Sequence, residues 1–394
     1  MRKGYFVSFV LGAAAFAILI TGVNLVRGNR LVKISNNNKV TEATDAKLEL
    51  LQKYIETFYL ETNEEKADKE DLENGIYKGY VSALNDPYSQ YYTKEEYDDL
   101  MESTSGEYKG IGVVVSQNDE TGVITMISVY DNTPAKEAGL EDGDILYKVE
   151  GKEVTGIDID KVVGQIRGEE GTTVHIEIYR ESTKEYKEFD VERRTIEVPT
   201  VYSEMLDEEK KIGYVKVTQF DSNTDEIFSK KMKELSSQGM KSVVFDLRNN
   251  PGGNYDTVCN MLDELLPEGT VVYTLDKSGK KEIETSDAAC IDIPMVVLMN
   301  ENSASASEIF AGAIQDYKAG KIVGTQSFGK GIVQSVFSLP DGSAIKLTVS
   351  KYYTPNGTNI HKKGITPDVK VEDNKDTEQD EQLDEALKQL ENNN

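Results

Sequence analysis

Three observations predict a mixed α/β chain of several domains. The chain has 394 residues, enough for two or three domains with sizeable cores. From Gly106 to Thr195, short β-type runs are separated by turn signals, which predicts a β-rich domain. From Ile196 to about Glu372, continuous apolar strands alternate with amphipathic helices, the pattern of a sheet covered by helices. Composition excludes several functions. With 44 basic and 70 acidic residues the net charge is −26, unsuited to the nucleic-acid backbone. Two His and two Cys are too few for a zinc finger, metal cluster or disulfide framework, and the chemistry read below needs no metal or other cofactor. Cys259 and Cys290 read as small buried hydrophobes.

The charge is unevenly placed. Residues 1–40 hold six basic side chains and no acid, which leaves −32 on the remainder. Gly4 to Val26 is an uncharged apolar run of 23 residues. As a helix it would span about 34 Å, against a bilayer core of about 30 Å. A cleaved signal peptide is the competing reading, but Thr21-Gly-Val-Asn-Leu-Val-Arg27 makes a poor cleavage site. The expectation is a single-pass signal-anchor over 4–26, with the bulk of the chain outside the cytoplasm at the cell membrane. Residues 27–43 read as a linker. In the region 44–105, Leu48, Leu51, Ile55 and Phe58, then Leu72, Ile76, Tyr80 and Leu84, recur at helical spacing. These helices are expected to pack on the domains C-terminal to them; the alternative is an arm that joins a homodimer. The acidic tail 373–394 is expected to be disordered, although Leu383, Leu387 and Leu390 allow one weak helix.

In the β-rich block, Tyr108-Lys-Gly-Ile-Gly-Val113 precedes Thr133-Pro-Ala-x-x-Ala-Gly-Leu-x-x-Gly-Asp-Ile145. Over residues 106–195 this resembles a PDZ domain. The resemblance implies that the Gly110, Ile111, Gly112 and Val113 loop offers N–H groups to a peptide's terminal carboxylate, while the peptide adds as a β-strand. A bare glycine turn is the bland alternative.

Three segments of the later region carry chemistry. Asn302-Ser-Ala-Ser-Ala-Ser-Glu308 lies between a buried strand and a helix, where a serine meets free N–H groups and positive potential. That suits a nucleophile whose attack makes an oxyanion. Ser305-x-x-Glu308 is equally a capping box. Ser327-Phe-Gly-Lys-Gly-Ile-Val-Gln334 places a lysine between glycines at a strand start. Buried there, Lys330 would need its pKa lowered by about 3 units to accept a proton near neutrality. Gln334 could orient the amine if the chain bends, since four strand residues span about 13 Å. A surface lysine in a turn is the plain alternative. Asp246-Leu-Arg-Asn-Asn-Pro-Gly-Gly253 is a strand-to-helix turn able to aim backbone donors at an anion.

Together these segments resemble the carboxy-terminal processing peptidases (tail-specific proteases), serine peptidases that carry a PDZ domain. The likeness covers most of residues 85–370. It includes Asp86-Pro-Tyr-Ser-x-Tyr-Tyr-Thr-x-Glu-Glu-Tyr97, Ser303-Ala-Ser-Ala-Ser-Glu308 with Gln315-Asp-Tyr317, Phe328-Gly-Lys-Gly331 and Gly364-Ile-Thr-Pro-Asp-Val369. The resemblance implies a crotonase-like protease core over 196–372. It also implies Ser305 as nucleophile, Lys330 as base and Gln334 as its orienting partner. Oxyanion donors would be the N–H of Ala306 and of Gly252 or Gly253. Arg167, in Ile166-Arg-Gly-Glu-Glu-Gly-Thr172, matches an arginine that couples PDZ domain and active site in some relatives. The implied substrates are proteins with apolar C-terminal tails. His175 and His361 lie in no motif that serves Ser305.

Overall fold

The computed structural model describes residues 41–60, 68–373 and 379–392. The expected anchor at 4–26 and linker residues 27–40 lie outside them. Among the described residues no helix is long and apolar enough to cross a membrane.

Helices α1 (Thr41–Phe58) and α2 (Lys69–Ser82) form where the 3.6-residue spacing places them. α2 opens on a reciprocal cap, with Asp68 and Asp71 each accepting from the other's backbone N–H at 3.0 and 2.9 Å. The expected packing of their apolar stripe is not found. Leu51, Ile55, Phe58, Leu72, Ile76, Tyr80 and Leu84 are all exposed, because no other part of the described chain covers them. The region is also not purely helical. Strand β1 (Gln90–Tyr92) interrupts it before α3 (Lys94–Ser105), which carries its own Thr93–Glu96 capping box.

The next unit contains β2 (Glu107–Gly110), β3 (Val113–Gln117), β4 (Ile124–Val129), α4 (Pro134–Ala138), β5 (Ile145–Val149), β6 (Lys152–Glu153), α5 (Ile159–Ile166), β7 (Thr173–Arg180), β8 (Glu185–Glu192) and β9 (Arg194–Glu197). One sheet runs β3-β4-β5-β7-β8, with β6 on β5; β2 pairs with β9. Period-two alternation buries Val174, Ile176 and Ile178 and turns His175 to the polar side, as the sequence predicts. Buried Arg180 forks onto Asp144, with Nε and Nη2 each 2.7 Å from one carboxylate oxygen, so this buried charge is matched. β3 is an edge strand, with one side unpaired among the described residues.

The remaining unit contains β10 (Val201–Asp207), β11 (Ile212–Val217), α6 (Thr224–Ser237), β12 (Ser242–Asp246), α7 (Tyr255–Asp263), β13 (Gly269–Asp276), β14 (Lys281–Ser286), β15 (Met295–Met299), α8 (Ala306–Tyr317), β16 (Gly320–Gly324), β17 (Ile332–Ser338), β18 (Ala344–Tyr353), β19 (Val369–Lys370) and α9 (Glu381–Asn392). Its main sheet runs β10-β11-β12-β15-β16-β19, parallel from β11 onward. β12 and β15 are buried at every residue. One face, with Val243, Phe245 and Val297, packs under α6, α7 and α8 through Phe228, Val258 and Phe310. The other face, with Val244, Val296, Leu298 and Val323, lies under Ala386 and Leu390 of α9.

Helix α9 corrects the expectation of a disordered tail. A parallel sheet needs cover on both faces, and the leucine stripe of the tail supplies the second cover. Arg248 anchors its start, with Nη1 and Nη2 each 2.8 Å from the Asp380 carboxylate, and also pairs with Asp246. Both cysteines are free; Cys259 is buried as expected, whereas Cys290 is only half-buried. A second, antiparallel sheet runs β1-β18-β13-β14, with β17 also on β18.

Candidate active site

Three loops leave the carboxyl ends of neighbouring parallel strands β12, β15 and β16. They carry Gly252 and Gly253, Ser305, and Lys330 respectively. Such an edge is where open α/β sheets bind ligands.

The three serines of the second loop divide by their bonds. Ser303 Oγ donates to Leu247 O at 2.8 Å, and Ser307 Oγ donates to Asn250 O at 2.9 Å. Both hold neighbouring loops. Ser305 Oγ is fully buried and makes no hydrogen bond. The capping-box reading is therefore half met. Ser305 N–H donates to Glu308 Oε2 at 2.8 Å, but Glu308 N–H goes to the Ser305 carbonyl, not to its hydroxyl. Ser305 has φ 56° and ψ −111°. For a residue with a Cβ, this strained left-handed position costs about 1–3 kcal/mol and is typical of functional sites. It turns the hydroxyl away from the cap.

The first loop is bonded to the second, with Ala304 N–H donating to Asn250 O at 3.1 Å. The sequence left Gly252 and Gly253 open as donors; their bonds separate them. Gly252 N–H is committed to Asn250 Oδ1 at 2.8 Å. The N–H groups of Gly253 and Ala306 make no hydrogen bond among the described residues. Gly253 must be glycine: its φ is +143°, and a Cβ would lie 2.1 Å from Phe220 O.

Glu308 ties the second loop to the third. Its Oε2 accepts from the N–H of both Ser305 and Lys330, each at 2.8 Å. Its Oε1 accepts from Ser327 Oγ at 2.5 Å and Gly329 N–H at 2.7 Å. A carboxylate oxygen shared by two N–H groups sets their residues side by side. Sequence reasoning saw only a helix cap in Glu308. Tyr352 adds a second tie, with its hydroxyl 3.2 Å from Ser305 O and its N–H 3.3 Å from Gly331 O.

Lys330 is 3% exposed, which removes the surface-lysine alternative. The glycine beside it permits this: Gly329 has φ +91°, and a Cβ there would lie 2.9 Å from Lys363 N. Burial lowers the Lys330 pKa to about 7, helped by the charge of Lys346 and opposed by Glu308 and Asp86. Lys346 is itself buried, with its pKa lowered by desolvation to about 8. The signal for Lys346 was a lysine on the inward phase of the β18 alternation. Gln334 is buried on β17, opposite Thr348 of β18. The register slips between Val333 and Gln334, with Val349 the extra residue. This β-bulge bends β17 between Lys330 and Gln334.

The Gly110–Val113 loop joins β2 to the open edge of β3, with Ile111 buried and Gly112 and Val113 at the edge. Arg167 caps α5, and its ion pair and ring contact are with Glu102 and Tyr108, not with the serine or lysine loops. It pairs with Glu102 of α3 at 2.7 Å and lies 5.2 Å from the Tyr108 ring centroid. α3 in turn meets the main unit where Ser222 Oγ donates to Thr104 O at 3.1 Å. His361 packs its backbone on Gly331, but its imidazole has no bond to Ser305.

The profile of Peptidase family S41 matches residues 211–371, and that of the PDZ domain matches 126–180. A Staphylococcus aureus protein described as "Probable CtpA-like serine protease" is 35% identical over 376 residues, 94% of this chain and 73% of that protein. The chain belongs to peptidase family S41, as a serine-type C-terminal processing peptidase with a PDZ domain. Among solved structures, an S41 protease of Bacteroides fragilis is 17% identical with TM-score 0.52, covering 79% of this chain and 86% of that one, a likeness of fold. The photosystem II D1 C-terminal processing protease is 29% identical with TM-score 0.48, covering 82% of this chain and 86% of its own.

Proposed function

We propose that this peptidase cuts protein substrates through an acyl-enzyme on Ser305, with Lys330 as general base. The observation that carries the reading is an unbonded, buried Ser305 hydroxyl clipped through Glu308 beside a buried lysine. Neutral Lys330 takes the Oγ proton as Oγ attacks the scissile carbonyl carbon. The N–H groups of Ala306 and Gly253 would hold the oxyanion. The new ammonium then protonates the leaving amine as the C–N bond breaks. Water attacks the acyl ester and gives a proton to Lys330; the C–Oγ bond then breaks and Ser305 Oγ takes that proton from Lys330, releasing the acid product. Because Ser305 Oγ has no exposed surface, attack requires the pocket to open. We further read the core as crotonase-like in layout, on its strand–helix alternation and its pair of backbone donors.

The PDZ domain would take the apolar C-terminal end of the substrate, with the peptide adding to the open edge of β3 and its carboxylate at Gly110–Val113. The test is to incubate the full chain with an unfolded protein ending in apolar residues, and with the same protein ending in aspartates. The apolar version should be cut faster. A serine-directed fluorophosphonate should label Ser305, read by mass spectrometry. Cleavage with no label on Ser305 would refute the nucleophile. Equal rates on both tails would refute the tail preference.

Residues 4–26 would anchor the enzyme in the cell membrane with the peptidase outside the cytoplasm. The exposed stripe of α1 and α2 would join two such chains. The full chain should therefore sediment with membranes and, in detergent, show the mass of two chains by light scattering. Recovery as a soluble monomer would count against both.

A further inference from the structure

The stretch Asp86-Pro87-Tyr88-Ser89 lies outside the residues that either family profile matches, yet it reaches the base. Lys330 Nζ sits over the Tyr88 ring, 4.8 Å from its centroid, within reach of the attraction between a cation and an aromatic face. The backbone that carries this ring is fixed. Tyr88 N–H donates to Asp86 Oδ1 at 3.1 Å, and Ser89 Oγ donates to Asp86 Oδ2 at 2.6 Å. The Thr348 N–H of β18 donates to Ser89 Oγ at 3.1 Å, and β1 then pairs with β18, with Gln90 opposite Lys346. The same pairing brings Tyr92 to the second buried lysine, with Lys346 Nζ 5.1 Å from its ring centroid. One strap thus lays an aromatic face on each buried lysine of the site.

A ring face discriminates between the two forms of an amine. Its negative π-cloud attracts an ammonium and has little hold on a neutral amine. A general base needs that difference, since only an interaction stronger after proton transfer than before it speeds the step. Glu308 of α8 and Asp86 of the strap favour the Lys330 ammonium by charge, and Lys346 of β18 opposes it. Both Glu308 oxygens are already bonded to other donors. The Tyr88 phenol stays protonated, its pKa raised by burial and by Asp86 and Glu308, so the ring acts through its face and not as a phenolate. We infer that Tyr88 is a positioning residue for the reaction: its face receives the Lys330 ammonium formed as Ser305 Oγ gives up its proton, and holds it until the proton passes to the leaving amine.

The inference rests on the Ser305–Lys330 reading, so its test carries a control for that reading. The full chain and its Tyr88→Leu, Tyr88→Phe and Lys330→Met variants are compared on a labelled unfolded protein, measuring kcat and KM across neutral pH. Tyr88→Leu keeps an apolar wall and loses the face. The acid limb of kcat/KM should move to lower pH by about 0.5–1 unit, because the ammonium loses a partner. The plateau kcat should fall about threefold, with little change in KM. Tyr88→Phe keeps the face and should restore both. Phenylalanine carrying progressively more ring fluorines at position 88 keeps the shape while weakening the face. The limb should then step down with each fluorine, which keeps the test intact if Tyr88→Leu fails to fold. A limb that stays in place in Tyr88→Leu overturns the inference, as does a flat fluorine series or a shift that Tyr88→Phe shares. A limb that moves to higher pH overturns it too, since the ring would then be only a cover against water. If Lys330→Met cuts at the parental rate, the underlying reading fails instead.

Discussion

Ser305→Ala should reduce cleavage of an unfolded protein by about 10⁴-fold or more, the scale on which serine nucleophiles are lost. Folding should be unaffected. The Oγ removed makes no hydrogen bond in its buried site, so no partner is orphaned. The flanking serines give the opposite pattern. Ser303→Ala and Ser307→Ala each remove one of two donors from the carbonyls of Leu247 and Asn250, which keep the N–H groups of Asn250 and Ala304. Each should cost about 1 kcal/mol of stability and lower activity only through loosened loops. Thermal melts and cleavage rates on all three variants separate a chemical serine from two structural ones. A Ser305→Ala protein that cuts at the parental rate would exclude the acyl-enzyme.

How much of this was legible in the sequence depends on the range of each interaction. The strands β12 and β15, the helix α8 and the alternation of β7 are local patterns, and they form where the periodicity places them. Ser305, Lys330 and Gln334 were found through the family resemblance, since each segment alone had a plainer reading. What was missed is long-range. Glu308 joins loops more than twenty residues apart, and nothing in Ser-x-x-Glu distinguishes that from a cap. Ser89 bonds to a strand residue 259 positions later, so its motif was visible but its partner was not. The tail was misjudged because its composition is that of a solvated segment. Its leucine stripe acquires meaning only once an uncovered sheet face exists to receive it. The choice between Gly252 and Gly253 turned on one side-chain bond from Asn250, which no spacing encodes.

Activity should vanish on the acid side with a midpoint near pH 7, and Lys330→Met should lose about 10³-fold at any pH, within the range for a general base. Below the midpoint the ammonium form cannot accept the Ser305 proton, so kcat/KM should fall about tenfold per pH unit. His175→Gln with His361→Gln should keep both activity and midpoint, which shows that the limb is not histidine. The neighbours set the direction of further shifts. Lys346→Met removes a charge that disfavours the Lys330 ammonium, so the limb should move to higher pH. Asp86→Asn removes one that favours it, so the limb should move lower. Stability must respond as well. The folded pKa of about 7 lies below the ordinary 10.5, so between these values the unfolded chain binds more protons than the folded one. Stability therefore rises with pH across that window, and the cost of burying Lys330 is full below pH 7 and absent above 10.5. Lys330→Met should then raise the melting temperature most at acidic pH and least in alkali. An enzyme that gains stability by losing its base is what a lysine held neutral by burial requires; a melting difference independent of pH would mean that Lys330 is charged throughout and is not the base.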